Sequence, residues 1–451
     1  MHLLTAQAGG IEDGSQPVDL AQSPGDIVVL TSADTEIAGL AKAKRDLGED
    51  VPSLRLANLL QLTNNFSIDL YVEQTLSHAK LIVIRVLGGA SYWQYGLDEV
   101  RRLARGRHIK LAVVSGAAYP DDLLQDYATL PKDDCDRIWT YLVEGGPRNF
   151  RNFLNFADHL VTACSPPPPA VPLPTAGLYW PDGDNPDLKA LQSVWLENAP
   201  VVALTFYRAL IQGGDLAPVD AMIEAFRELG LNPLPIFASS LKDPVAAETI
   251  ASLFDAAPPS AVVNTTAFAA SKPGTAWTGT PLDRADCPVL QAILCGANES
   301  GWENNPRGLT ARDIAMNVAL PEIDGRIITR AISFKADKVH DEATETNIVS
   351  HRPRPDRVRF VAELVKNWVM LKETRSGARR IAVVLSNYPS TDGQIANGVG
   401  LDTAASTLCL LQAMAAAGYP VDALPAEADE LVHMLQAGPT NAGIHGRAIR
   451  E

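Results

Sequence analysis

Several signatures of common enzyme classes are absent from this chain of 451 residues. No Gly-Lys dipeptide occurs, so the chain lacks a phosphate-binding loop of the P-loop type. H-E-x-x-H, G-x-S-x-G and C-x-x-C are missing as well, which removes the usual sequence evidence for a zinc protease, an α/β-hydrolase or a paired-cysteine metal site. If ATP drives the reaction of this protein, a partner subunit must bind it.

Cysteine is scarce, and long apolar runs are missing. The five cysteines are scattered, which is typical of buried thiols in a reducing compartment. The N-terminal residues lack the basic start and apolar core of a signal peptide, and no apolar run reaches the roughly 18 residues of a membrane span. We therefore expect a cytoplasmic protein with no membrane segment.

Positive charge is in deficit. Lys and Arg total 38 against 53 Asp and Glu, which gives a net charge of −15 and argues against nucleic acid as a partner. The segment 351–359 is a basic exception that contains Arg352 and Arg354. It is suited to an anionic small molecule, although a solvated loop is the more frequent explanation of such a segment.

Apolar runs alternate with helical repeats and predict an α/β fold. The first three runs, with a helix at 96–105 between two of them, predict a parallel, Rossmann-like N-terminal domain. A second α/β domain and the start of a third α/β unit follow. The predicted strands of the three parts lie at 27–30, 80–86, 110–116, then at 200–206, 233–238, 261–266, and finally at 380–386.

Polyproline marks the predicted boundary between the first two domains. We predict a Rossmann-like domain at 1–165, a Pro-rich linker at 166–198, a second α/β domain with long loops at 199–376 and a third unit at 377–451. One strand cannot build a parallel sheet, so the third unit is expected to be truncated. The alternative is that its strand joins the sheet of the second domain.

One candidate ligand loop follows a predicted strand and precedes a helix, where open α/β sheets bind ligands. It runs from Arg85 through Ser91, Tyr92, Trp93 and Tyr95. Its glycines allow close backbone approach, and its aromatic rings are able to stack on a flat ligand. The alternative is a packed loop whose rings cover the edge of the sheet.

Two further segments carry polar groups. In the stretch L-P-E-I-D-G-R, Glu322, Asp324 and Arg326 are placed to accept protons or contact a substrate, unless they only form a solvated turn. The Gly-rich loop with Asp392, Gly393 and Asn397 offers backbone N–H groups to an anion, unless it is a structural connection.

Together these segments resemble the cobaltochelatase large-subunit family, which also includes the porphyrin-binding large subunit of magnesium chelatase. The matching stretches are RVLGGASYWQYGLDEVRRLAR, FYRALIQGGDLAPVDAMIEAFRELGLNPLPIF, CPVLQAIL, MNVALPEIDGRIITRAISFK and RIAVVLSNYPSTDGQIANGVGLDTAAS. The SYWQYG and STDGQIANGVGLD loops are more similar to the cobalt branch.

The resemblance implies the ring-binding part of an ATP-dependent ligase. The substrates would be hydrogenobyrinic acid a,c-diamide and Co(II), in cobalamin biosynthesis, with ATP bound by AAA+ motor partners and not by this chain. The alternatives are a magnesium chelatase H-type subunit acting on protoporphyrin and a non-catalytic tetrapyrrole-binding scaffold. Family members are longer and carry a downstream His/Glu segment, whose T-H-G does not occur here, so this portion alone is expected to be inactive.

The resemblance assigns no catalytic base and no metal ligand within this chain. The residues that we expect to contact the ring are Arg85, Ser91, Tyr92, Trp93, Tyr95, Glu322, Asp324, Arg326, Arg352, Arg354, Asp392, Gly393 and Asn397.

Overall fold

The computed structural model of the chain describes residues 17–117, 119–181, 183, 186–271, 279–335, 339–386, 396, 398 and 400–437. It has two units, Met1–Lys366 and Asn367–Glu451. The fold is α/β, which confirms the predicted fold class. Among the helices of the described residues, we find none with the length and hydropathy of a membrane span.

The first sheet has four parallel strands in the order β2-β1-β3-β4. They are β1 (Ile27–Thr31), β2 (Leu54–Asn58), β3 (Leu81–Val86) and β4 (Lys110–Ser115). Their Val-, Ile- and Leu-rich runs are buried on both faces, as a helix-covered parallel sheet requires. The helices that cover this sheet are α1 (Asp34–Leu47), α2 (Asn65–Gln74), α3 (Gln94–Arg107), α4 (Lys132–Glu144) and α5 (Gly146–Thr162). Helices α1, α4 and α5 pack on one face of the sheet, and α2 and α3 pack on the other.

The second sheet has seven strands in the order β13-β10-β9-β8-β6-β7-β5. Its two edge strands are antiparallel to their neighbours, and the inner strands are parallel. The strands of this part of the chain are β5 (Ala176–Leu178), β6 (Val201–Tyr207), β7 (Asn232–Ala238), β8 (Ala261–Asn264), β9 (Val289–Asn298), β10 (Ile327–Lys335), β11 (Val339–Asp341), β12 (Thr346–Ile348) and β13 (His351–Pro353).

Within the described residues, eight α-helices connect these strands or follow them. They are α6 (Leu188–Gln192), α7 (Arg208–Gly213), α8 (Ala217–Glu228), α9 (Pro244–Ala256), α10 (Glu299–Glu303), α11 (Ala311–Ile314), α12 (Leu320–Ile323) and α13 (Pro355–Glu373). A π-helical turn, Ala315–Ala319, joins α11 to α12. The stretch 166–198, predicted as a linker, contains β5 and α6, so part of it is built into the second sheet.

Strands β11 and β12 form a hairpin that covers the edge of the first sheet. Leu56 on edge strand β2 donates its backbone N–H to the carbonyl of Thr344 at 3.4 Å. The Glu345 carboxylate accepts from the backbone N–H and hydroxyl of Ser23, both at 2.6 Å, and lies 2.8 Å from Arg55. At the same end of the hairpin, next to its turn, Asp341 pairs with Arg45 of α1. The hairpin therefore supplies partners to an otherwise open sheet edge.

The second unit contains helices α14 (Thr403–Ala416) and α15 (Ala428–Ala437). The strand predicted at 380–386 is wrong, because those residues form no regular structure. Val384 is 91% exposed. A strand needs hydrogen-bonding partners along its backbone, and no neighbouring strand pairs with this run within the described residues.

Candidate functional site

A buried polar network lies where β8 and β9 run side by side in the second sheet. Asn264 donates from its amide to the Gln291 side-chain oxygen at 2.7 Å and accepts from the Thr205 hydroxyl at 2.7 Å. Gln291 donates to the backbone carbonyl of Thr266 at 3.0 Å. Thr205, Asn264 and Gln291 are fully buried. Such polar groups are stable in a core because they satisfy one another.

Arg326 extends this network from the residue before β10. Its guanidinium donates to the Gln291 oxygen at 3.1 Å and to the Thr266 carbonyl at 3.2 Å, and it pairs with Asp324 at 2.7 Å. Burial lowers the pKa of Arg326, while the charge of Asp324 opposes that shift. The guanidinium Nε is buried and has no hydrogen-bond partner among the described residues. The ion pair is therefore enclosed by protein rather than offered to solvent.

Asp324 ties a second chain segment to this turn. Its carboxylate accepts from the backbone N–H groups of Ala270 at 2.7 Å and Ser271 at 3.0 Å, and from the Ser271 hydroxyl. Burial opposes ionisation, but the hydrogen bonds from Ser271 and Ala270 and the charge of Arg326 outweigh it and hold the pKa of Asp324 below its ordinary value. Asp324 and Arg326 thus fix the geometry of the turn.

Glu322 is the accessible acid of this turn. It lies exposed on α12, two residues before buried Asp324. The π-helical turn just before α12 is anchored by a hydrogen bond of 2.8 Å from the Phe268 backbone N–H to the Met316 carbonyl. The arrangement therefore presents one exposed carboxylate on a turn that the Asp324–Arg326 ion pair fixes.

The loop after β3 combines buried and exposed rings. Trp93 is 6% exposed and donates from its indole N–H to the Leu62 carbonyl at 2.7 Å. Tyr92 is 54% exposed, and Ser91 is exposed as well. Tyr95 is partly exposed and donates its hydroxyl to Asp69 at 2.7 Å, and this hydrogen bond raises its pKa. Ser91, Tyr92 and Tyr95 are the candidate residues of this loop that a ligand can reach.

Arg85 lies in the core of the first unit. It pairs with Glu36 of α1, and it donates to the carbonyls of Ser115 at 3.2 Å and Leu142 at 3.3 Å. Burial lowers its pKa to about 10. Because these protein groups surround the guanidinium, its role as a direct ring contact stays a prediction that its placement does not favour.

The remaining candidates lie apart from the buried network. Arg352 is exposed on β13, and Arg354 pairs with Glu299 at 2.7 Å and Glu303 at 2.9 Å. No hydrogen bond or ion pair of the described residues joins loop 91–95 to the Asp324–Arg326 turn. Asp392, Gly393 and Asn397 lie outside the described residues. Those described residues also hold no group of three or more side chains able to ligate a metal ion.

Sequence reasoning missed the supporting side chains of the network. Thr205, Asn264 and Gln291 stand inside or at the ends of apolar strand runs. Single polar residues in such runs are the available signal, since a buried polar group requires a partner. What the sequence does not reveal is that the partners meet across neighbouring strands.

Comparison with known proteins shows the family of the chain. The profile described as CobN/Magnesium Chelatase matches residues 139–450. The aerobic cobaltochelatase subunit CobN of a Sinorhizobium species is 46% identical over 100% of the chain and 36% of its own length. CobN of Pseudomonas aeruginosa is 42% identical over 98% of the chain and 35% of its length. The chain therefore spans about a third of the length of these relatives.

A more distant relative and a solved structure extend the comparison. The H-type magnesium-chelatase subunit of Cereibacter sphaeroides is 26% identical over 86% of the chain and 34% of its own length. The solved catalytic subunit of cobaltochelatase from Mycobacterium tuberculosis is 31% identical, with a TM-score of 0.72 over 91% of this chain and 33% of that chain. The similarity thus extends to the three-dimensional fold.

Proposed function

Because this chain belongs to the CobN/magnesium chelatase family, we propose that it is the N-terminal, tetrapyrrole-binding portion of a cobaltochelatase large subunit. Its ring substrate is hydrogenobyrinic acid a,c-diamide and its metal substrate is Co(II). AAA+ motor subunits bind and hydrolyse the ATP, and the complex works in the cytoplasm, in aerobic cobalamin biosynthesis.

The difference in sequence identity carries the choice of the cobalt branch. Identity to two cobaltochelatase subunits is 46% and 42% over nearly the whole chain, against 26% over 86% of it for the magnesium-chelatase relative from Cereibacter sphaeroides. Residues that shape a substrate site diverge when the substrate differs. The higher identity therefore supports a corrin precursor rather than protoporphyrin as the substrate.

The chemistry of metal insertion sets what the large subunit must supply. Water must leave the metal, two ring N–H protons must leave the macrocycle, and the stiff ring must be distorted. In our proposal the exposed groups Ser91, Tyr92, Tyr95 and Glu322 contact the ring. Asp324 and Arg326 position Glu322, Trp93 holds the 91–95 loop, and Arg85 fixes the end of β3, from which this loop follows.

Two further sets of residues complete the proposed ring site. Arg352, which is exposed, and Arg354, which already pairs with Glu299 and Glu303, lie on the basic segment, where guanidinium groups suit carboxylate arms. For the loop with Asp392, Gly393 and Asn397 we keep the role predicted from the sequence, in which its backbone N–H groups donate to another carboxylate arm of the ring. All of these contacts are testable by substitution, one residue at a time.

Reconstitution separates this proposal from a non-catalytic scaffold. The chain is mixed with the motor subunits, Co(II), ATP and the ring, and metal insertion is followed by absorbance. We expect ring binding without insertion, because the chain spans about a third of its relatives, and insertion once the full-length large subunit replaces it. If the full-length protein binds the ring and still inserts no cobalt, the scaffold alternative is correct.

A further inference from the structure

Two arginines near the start of α13 have no carboxylate in an ion pair with them among the residues that the structure describes. Arg330 on β10 holds its guanidinium 3.4 Å from the ring centre of Phe360, and Arg357 lies 4.7 Å from that of Trp302. Both arginines are half-buried. Arg357 donates from Nε to the Ala331 carbonyl at 2.6 Å, and no ion pair of the described residues includes either guanidinium. We call Arg330, Arg357, Trp302 and Phe360 the arginine–aromatic patch.

The acids beside the patch are committed to another arginine. Glu299, Glu303 and Asp356 all pair with Arg354, at 2.7, 2.9 and 3.2 Å. Arg354 also lies 5.5 Å from the Trp302 ring, on the border of the patch. Three carboxylates thus pair with one guanidinium, while the two beside it form no ion pair within the described residues. A shortage of acids does not explain this, since the chain has 53 of them against 38 basic residues.

Holding like charges close together costs free energy. Burial lowers the pKa of Arg357 most, the neighbouring charge of Arg330 lowers it further, and the charge of Asp356 opposes this shift only in part. Stacking on aromatic rings fixes the planes of the guanidinium groups and leaves their N–H edges open. Fixed, unpaired guanidinium edges are the geometry that binds carboxylates through two parallel hydrogen bonds.

We propose that Arg330 and Arg357 form a binding site for a carboxylate of the tetrapyrrole substrate. The inference rests on the proposed function, because it takes the acid side arms of the ring as the occupant. Trp302 and Phe360 act by holding the two guanidinium groups in place. The patch then distinguishes a ring with free carboxylates from one whose acids are neutralised.

Substitution of the two arginines tests the site in the full chain. Arg330→Gln and Arg357→Gln are each expected to weaken binding of hydrogenobyrinic acid a,c-diamide by about tenfold, because each removes charge-assisted hydrogen bonds. Arg357→Lys, which keeps the charge but loses the forked geometry, is expected to give a smaller loss. Arg107→Gln is the control, since Arg107 is exposed at the C-terminal end of α3, outside the patch and the basic segment, and donates to the Ser77 carbonyl at 3.1 Å. It is expected to bind as the wild type does.

A chemical change in the ligand provides the second readout. The methyl ester of the same ring lacks the negative charges, so the wild type should bind it weakly. The double variant, which combines Arg330→Gln with Arg357→Gln, should bind the acid and the ester with equal affinity. Melting temperatures of all variants, measured without ligand, show whether each one folds. If folded Gln variants bind the acid as tightly as the wild type, the inference is overturned and the proposed function stands.

An independent probe separates failure of the site from failure of the function. Benzene-1,2,4,5-tetracarboxylate, a planar polycarboxylate, should raise the melting temperature of the wild type and of Arg107→Gln but not that of the double variant. If the ring does not bind while this probe acts as expected, the carboxylate site stands and the proposed function fails. If neither ligand binds, both are wrong.

Discussion

Neighbouring residues of the candidate segments differ in whether they are buried against other protein groups or exposed to solvent. In the loop after β3, the Trp93 indole is bonded to Leu62, whereas neighbouring Tyr92 is 54% exposed. In the turn before β10, Asp324 is buried and Glu322 is exposed. The sequence predicted these positions as polar or aromatic candidates. The sequence did not distinguish the buried residues that support the local structure from the exposed residues that a ligand can reach, because burial depends on distant parts of the chain.

Replacing Asp324 by Asn tests its structural role. The substitution leaves the buried charge of Arg326 without its partner, which should lower the free energy of unfolding by about 3–5 kcal/mol in a urea titration. Asp255→Asn is the matched control, because Asp255 pairs with Arg284 at 2.8 Å while both side chains are more than half exposed. We expect that control to unfold as the wild type does. Equal stability of the two variants would contradict the buried network.

The neighbouring rings of the 91–95 loop should behave in opposite ways. Trp93→Ala should lower the free energy of unfolding by about 3–5 kcal/mol, because it empties a packed site. Tyr92→Ala should leave stability nearly unchanged and weaken ring binding, since an exposed ring has little packing to lose. Urea titration and absorbance titration of both variants check this. Unchanged ring binding by a folded Tyr92→Ala protein would remove Tyr92 from the site.

Elements with local signals were predicted well, and elements that depend on distant partners were not. The buried runs at β1, β3, β4, β6, β7 and β8 confirm the predicted strands. The long strands β9 and β10 and the β11–β12 hairpin were missed, because turn-rich sequence surrounds them. The run at 380–386 has the composition of a strand but pairs with no strand in the part of the chain that the structure describes. Composition alone therefore does not create a strand.

The β11–β12 hairpin should loosen in acid. Burial opposes ionisation of Glu345, but its hydrogen bonds from Ser23 and the charge of Arg55 hold its pKa below the ordinary glutamate value of 4.5. The stabilisation of the hairpin by the Glu345 carboxylate is therefore complete above pH 4.5 and is lost as the pH falls through the lower pKa of the folded state. Amide exchange at Leu56, which donates to Thr344, reports the opening.

The Glu345→Gln variant provides the comparison for this acid transition. Because Gln cannot ionise, the Leu56 amide should exchange faster than in the wild type at neutral pH and show a weaker dependence on pH in acid. Asp26, whose pKa is lowered first by its hydrogen bond from Lys80, titrates in the same direction. That background is common to both proteins. Identical exchange profiles would show that Glu345 does not hold the hairpin.

At the scale of the whole molecule, the α/β class and the family were readable from the sequence, because both rest on the order of many segments. The domain boundaries remain predictions, and the structure builds part of the predicted linker into the second sheet. The chain spans about a third of its curated relatives. Activity therefore belongs to the longer assembly in our account, and ring binding is the property to measure on this chain.

Absorbance titration of the chain with two rings tests the central claim most directly. Hydrogenobyrinic acid a,c-diamide and a protoporphyrin are titrated separately at the same ionic strength, because charged contacts weaken as salt is added. We predict saturable binding of the hydrogenobyrinic acid derivative and much weaker binding of the porphyrin. Tight binding of protoporphyrin, with none of the hydrogenobyrinic acid derivative, would contradict the cobalt assignment.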